Sequence, residues 1–259
     1  MALSRRTVQL VGRLHRRKTR AREGLVLVEG PRACAEAVRA GAVVRFAVHA
    51  PELTVETEAA RVLEHLHARG DRVEEAAPRE LAALSGTESP QGILLVCVEP
   101  TPDPGSTTSW RRFLVLDGVQ DPGNAGTLIR AATAFAMDGV VVLDGTVDPW
   151  SPKTVRASAG LVFRVPVVSM DGDTFLDRMA SHGPTLLLAD ARGRPVAAAH
   201  PDESWALVIG NEGAGPRDGV RDAAAAAVAV PMSSEVESLN AGVAGAILLY
   251  ALTRESEGD

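Results

Sequence analysis

Two kinds of run alternate along this chain: short stretches apolar at nearly every position, and longer ones in which apolar residues recur at helical spacing. In the second half the apolar runs fall at 113–117 (FLVLD), 139–143 (GVVVL), 164–168 (RVPVV), 185–189 (TLLLA), 205–209 (WALVI) and 227–230 (AVAV), and each predicts a strand. Helices fit near 125–136, 152–159, 172–182 and 238–253. Strands without a polar face, separated by helices, predict a parallel sheet covered on both sides. The first half has a smaller version of this rhythm. A basic helix over 4–21, a strand at 25–28, a helix over 31–40 ended by Gly41 and a strand at 43–48 come first. A helix over 55–69 ended by Gly70, a short helix opened by Pro78 and a buried strand at 93–96 follow. Between the halves, 99–109 (EPTPDPGSTTS) has three prolines and no apolar residue, which predicts an exposed linker. The expected organisation is a small α/β domain at 1–98, a linker at 99–109 and a larger α/β domain at 110–259.

Composition narrows the class. The chain has 259 residues, 46% hydrophobic and 23% charged, which suits a soluble globular protein and excludes a disordered one. No apolar run is long enough for a membrane span, and the N-terminus lacks the uninterrupted apolar core of a secretory signal, so a cytoplasmic protein is expected. Cys34 and Cys97 are too few for a disulfide framework and read as reduced, buried residues. No His/Cys cluster has metal-ligand spacing, and no metal is expected. The net charge is −6, unevenly distributed. Residues 1–32 hold nine basic side chains (Arg5, Arg6, Arg13, Arg16, Arg17, Lys18, Arg20, Arg22 and Arg32) against Glu23 and Glu29, a local +7 that leaves −13 for the rest. A basic arm on an acidic body is either a solvated helix face or a local contact for a polyanion.

Three polar, glycine-bearing segments follow predicted strands, where parallel sheets bind ligands. The first, 116–130, turns through Gly118, Pro122 and Gly123 into a helix for which Asn124 is a candidate cap. Arg130 stands inside that helix among alanines, where it forms a structural salt bridge or meets a phosphate or reacting oxygen. The second, 209–216, reads Ile-Gly-Asn-Glu-Gly-Ala-Gly-Pro. It lacks the spacing of a P-loop or a dinucleotide fingerprint, and Glu212 at its centre would repel phosphate but suits hydroxyls, amides or a cation. The third, 230–240, leads through Ser238 or Asn240, either a candidate cap, into a long helix rich in small residues.

Together these segments resemble the three motifs of the SpoU (TrmH-type) branch of the SPOUT RNA 2′-O-ribose methyltransferases. The first is similar to that family's N-x-G-x-x-x-R (Asn124, Gly126, Arg130), and the second to G-x-E-x-x-G (Gly210, Glu212, Gly215). The third is similar to P-M-x-x-x-x-x-S-L-N (Pro231, Met232, Ser238, Leu239, Asn240). The resemblance spans 112–253. It departs at Ser234, where the family commonly has glycine, at Ala241-Gly242, where it has Val-Ser, and near Ala251, where it carries an acid. In the first half, Val28-Glu29-Gly30 and Pro90-Gln91-Gly92 resemble short signatures of the substrate-binding domain often attached to this family.

The resemblance implies a C-terminal α/β trefoil-knot domain with a parallel sheet, S-adenosyl-L-methionine (AdoMet) as cofactor, RNA as substrate, and a homodimer without membrane attachment. It places AdoMet against Ala189, Gly210, Asn211, Glu212, Gly213, Val230, Met232 and Leu239. The catalytic set it implies is Arg130 with Asn124, Glu212, Ser238 and Asn240. Because arginine keeps its proton at neutral pH, Arg130 is expected to grip a phosphate and stabilise charge on the 2′-oxygen. The two-domain layout points to ribosomal RNA. The alternatives are a tRNA 2′-O-methyltransferase, a non-catalytic knotted RNA-binding protein, and a nicotinamide-dependent enzyme.

Overall fold

The computed structural model describes residues 3–257 except 55, 56, 182, 200, 201, 234, 236 and 237. The departure noted at Ser234 therefore lies outside the described residues. The chain forms two compact units, residues 1–100 with 150–164, and residues 101–149 with 165–259.

The first unit opens with α1 (Arg5–Leu14) and α2 (Arg17–Glu23), where the pattern suggested one helix. β1 (Leu25–Glu29), α3 (Pro31–Arg39), β2 (Val44–His49), α4 (Pro51–Thr54) and α5 (Glu58–Ala68) follow. β3 (Val73–Glu75), α6 (Pro78–Leu84) and β4 (Ile93–Val98) complete the first segment. The sheet order is β1-β4-β2-β3, antiparallel except for β2 with β3. Neither α4 nor β3 has enough residues to display a period, and neither was predicted. Of the nine basic side chains of the arm, Arg20 is buried and its Nη1 donates to the Leu14 carbonyl at 2.8 Å; the other eight are exposed. Cys34 and Cys97 are buried and free, as expected; burial pushes both thiols up, Cys97 to about 12.

The second unit contains β5 (Arg112–Asp117), α7 (Pro122–Ala134) and β6 (Gly139–Leu143). The chain then enters α8 (Pro152–Ala157) and a 3-10 turn at Leu161–Phe163, both grouped with the first unit. There Gly160, at φ 83°, lies so close to α3 that a Cβ would stand 2.6 Å from the Ala33 carbonyl oxygen. Back in the second unit are β7 (Val167–Met170), α9 (Gly172–Ala180), β8 (Thr185–Pro195), β9 (Trp205–Gly210), α10 (Asp218–Ala223), β10 (Ala226–Ala229) and α11 (Ala241–Glu257). β7 starts three residues later than its apolar run, because the 3-10 turn occupies 161–163 and Pro166 offers no N–H to the ladder. The six strands are parallel throughout, in the order β10-β8-β9-β5-β6-β7. This is the covered parallel sheet that the apolar runs predicted. Within 99–109, Pro104–Ser109 closes into a 3-10 helix capped by Asp103, its Ser and Thr hydroxyls donating to carbonyls three residues back.

Among the described residues, no helix is long and apolar enough to cross a membrane.

Candidate active site

The three motif segments meet at the carboxyl ends of β10, β9 and β5, beside the middle of β8. α7 begins where Asp121, not Asn124, caps it: the Asp121 Oδ1 accepts from the Asn124 N–H at 2.8 Å, and Pro122 takes the first helical position. The cap assignment to Asn124 is thus corrected, and the consequence is chemical. Asn124 sits buried inside the first turn with its amide free to bond elsewhere.

That amide joins all three segments. Asn124 Nδ2 donates to Glu212 Oε1 at 3.0 Å, and Asn124 Oδ1 accepts from Asn240 Nδ2 at 2.8 Å. Asn240 Oδ1 in turn accepts from the Val243 N–H at 3.2 Å, which makes Asn240, and not Ser238, the cap of α11. The chain has one consistent direction. An ionised carboxylate only accepts, so Asn124 must present its NH₂ to Glu212 and its oxygen to Asn240, which must present its own NH₂. Glu212 also receives the Gln120 N–H at 3.2 Å and the Asp121 N–H at 3.4 Å. Burial pushes its carboxyl up, but the Asn124 amide and the backbone N–H groups outweigh that and hold Glu212 below the usual carboxylate range.

The 210–216 loop is folded tightly on itself. A Cβ at Gly210 would overlap the Pro216 nitrogen, and Asn211 and Gly215 exchange backbone hydrogen bonds of 3.0 and 2.9 Å. The Asn211 side chain pins the loop: its Nδ2 donates to the Gly118 carbonyl at 2.9 Å and its Oδ1 accepts from the Gly213 and Ala214 N–H groups. An arginine clamp that the sequence reading missed holds the same loop. Arg217 bonds Asp117 through its backbone N–H and Nε, both at 2.8 Å, and reaches Asp144 through Nη1 at 2.8 Å. The Arg217 hydrogen bond holds the Asp144 carboxyl below its usual range despite a smaller opposing desolvation. The available signal was Asp117, a charge closing the apolar run FLVLD, which is 3% exposed and needs a partner.

A pocket opens between these loops and α11. Seven of the eight expected cofactor residues line it (Ala189, Gly210, Asn211, Glu212, Val230, Met232 and Leu239), and so does Ser238. Gly213 does not; the turn held by Asn211 carries it away. Asp190, which the sequence reading passed over, also lines the pocket, and its place directly after the apolar run of β8 was the available sign.

Arg130 is outside the pocket and exposed on α7, in a stripe with Gly123, Thr127 and Ala134. The salt-bridge alternative required burial, and the helical period turns this position outward instead. No ion pair holds it among the described residues.

An open parallel α/β sheet with a pocket across its strand ends defines a ligand-binding enzyme domain of the doubly wound kind. Residues 111–250 match the SpoU rRNA Methylase family, and residues 5–95 match the MRM3-like substrate binding domain. The chain belongs to the SpoU rRNA methylase family. It is 34% identical over 241 residues to the 23S rRNA (guanosine(2553)-2′-O)-methyltransferase RlmP of Bacillus subtilis, covering 93% of each chain. Its fold is similar to that of the SpoU methyltransferase AviRb from Streptomyces viridochromogenes, solved in complex with AdoMet. That match has 29% identity and a TM-score of 0.81, and covers 97% of this chain and 98% of that one. An rRNA methyltransferase from Sinorhizobium meliloti is similar at 25% identity and a TM-score of 0.82, covering 97% of this chain and 95% of that one.

Proposed function

We propose that this chain is an AdoMet-dependent RNA methyltransferase that methylates a ribose 2′-hydroxyl of ribosomal RNA. The observation that carries the reading is the charge of the pocket together with its link to α7. The charged side chains lining it are two carboxylates, Asp190 and Glu212, with no lysine, arginine or histidine among the lining residues. A dinucleotide brings phosphates and is poorly served there; AdoMet brings a sulfonium and an ammonium group and fits. Ala189, Val230, Leu239 and Leu248 offer the apolar wall that an adenine face needs.

When bound, AdoMet supplies a methyl group for in-line displacement by the ribose oxygen. The protein's part is placement and charge. Asn124 and Asn240 hold Glu212 at the mouth of the pocket, and Ser238 stands on the opposite loop. Arg130, exposed on α7, grips the phosphate beside the target ribose and stabilises negative charge gathering on the 2′-oxygen. The first unit, with the eight exposed basic residues of its N-terminal arm, holds folded RNA through phosphates. The C-terminal part of the sheet is threaded as the trefoil knot of this family, and the protein works in the cytoplasm. It acts as a homodimer through α11, whose exposed Val243, Ile247 and Tyr250 form a stripe at spacings of four and three residues. The non-catalytic alternative predicts loss of Arg130, Glu212 or Asn240, and all three are present.

Calorimetry of the full chain is expected to give saturable AdoMet binding. Transfer from labelled AdoMet to ribosomal RNA of cells lacking the gene should leave one alkali-resistant 2′-O-methyl linkage. Absence of AdoMet binding would overturn the enzyme reading; transfer to tRNA alone would overturn the choice of RNA.

A further inference from the structure

Val28-Glu29-Gly30 and Pro90-Gln91-Gly92 have no part in the chemistry above, yet the first unit brings them together. β1 and β4 are antiparallel neighbours, with Glu29 opposite Leu94 and the Gly30 N–H donating to the Ile93 carbonyl at 3.1 Å. Gly30 (φ 91°) and Gly92 (φ 83°) turn the chain at the same end of this pair. The turn opens a cavity of about 190 Å³, large enough for several waters.

Its polar groups are unevenly committed. The Glu29 side chain is 5% exposed and fully engaged: Oε1 accepts from the Gly86 N–H at 2.9 Å, and Oε2 accepts from Arg156 Nη1 at 2.7 Å and from the Ser85 hydroxyl at 3.5 Å. Arg156, also lining the cavity, spends one of its five N–H donors on Glu29 among the described residues. The carboxylate fixes the plane of the guanidinium and leaves its other donors available. The Gln91 amide oxygen lies over Gly30, where a Cβ would come within 3.2 Å, and the amide is not engaged elsewhere among the described residues. Leu81, Ile93 and Leu94 supply apolar wall.

A planar ligand with apolar faces and an edge of mixed donors and acceptors matches this set. A phosphate does not, because the buried carboxylate already balances the only cation lining the cavity. We propose that this cavity takes one unstacked nucleobase of the RNA substrate, its edge read by Arg156 and Gln91. Glu29 is then a positioning residue for Arg156. The inference rests on the RNA-methyltransferase reading, but it concerns a second place on the protein.

The test uses the full-length protein and follows the backbone amides of Gly30, Gly86 and Gly92 by NMR. AMP, GMP, CMP and UMP are titrated beside ribose 5-phosphate and inorganic phosphate. At least one nucleotide should shift these amides saturably while ribose 5-phosphate does not. Gln91→Ala, at an exposed side chain, should keep the melting temperature and weaken that nucleotide by about three- to tenfold, as one lost hydrogen bond implies. Arg156→Lys keeps the charge but not the planar fork, and should weaken it further. Equal shifts with ribose 5-phosphate would make this an anion site and overturn the proposal. So would no shift with any nucleotide, or an unchanged titration in Gln91→Ala. Methyl transfer to ribosomal RNA in the same preparation tells whether the enzyme reading stands when the cavity reading falls.

Discussion

Arg130 and Asn124 are six residues apart on one helix, the first exposed and the second buried, and this difference makes their roles separable by experiment. Arg130 lies in solvent and does not line the pocket, so Arg130→Ala should leave the melting temperature and AdoMet affinity near wild type. Single-turnover methyl transfer should fall by about 10²–10³, the usual cost of removing a group that acts only in the transition state. Arg130→Lys should recover part of this, because an ammonium cannot grip phosphate and oxygen together. Near-wild-type transfer by a folded Arg130→Ala would remove this residue from the chemistry. Glu212 gives a pH-dependent counterpart. Its folded carboxyl lies below its ordinary 4.5, so the stability it contributes is present above that value and is lost as pH falls through the folded one. Melting curves of wild type and Glu212→Gln should therefore differ at neutral pH and converge in acid; a constant gap would refute the assignment. At this scale the sequence drew attention to the motif residues but not to the bonds between them. Asn124 looked like a cap because it follows a Gly/Pro turn, yet Asp121 three residues earlier is the better acceptor for the first N–H groups.

The elements were legible wherever an apolar run was long enough to declare its period. All six strands of the parallel sheet begin within three residues of their predicted places, although β8 runs six residues past its predicted end and the six-residue α10 was not predicted. The short β3, the four-residue α4 and the 3-10 turns carry no period, being fixed by neighbours instead. α11 illustrates how a mild pattern hides two faces. Gly242 and Gly245 admit Thr127 and Leu128 of α7, whereas Val243, Ile247 and Tyr250 point outward. Gly245→Val would drive a branched side chain into Leu128 and should destabilise the protein by about 1–3 kcal/mol, read as a lower urea midpoint. Ile247→Asp, on the exposed face, should leave monomer stability nearly intact and abolish dimerisation. Light scattering that finds wild type and Ile247→Asp both monomeric and active would refute the dimer.

At the scale of the molecule, the sequence reading placed one boundary in the proline-rich stretch after residue 98, whereas the first compact unit draws on two separate pieces of chain. Residues 150–164 are as apolar and helical in pattern as their neighbours, and nothing local marks them as belonging with residues 1–100. What assigns them is long-range: Gly160 against Ala33, Arg156 on Glu29 and Arg164 on Glu36. The consequence is a matter of timing during synthesis. When residue 100 leaves the ribosome, the first unit still lacks the cation that neutralises a buried carboxylate and the turn that covers α3. At roughly 5–20 residues per second, the missing piece arrives several seconds later. Nascent chains stalled with residue 100 just exposed should therefore be cut by protease within that first segment. Those stalled with residue 164 exposed should resist. Equal protection at both lengths would mean that the first hundred residues complete themselves alone.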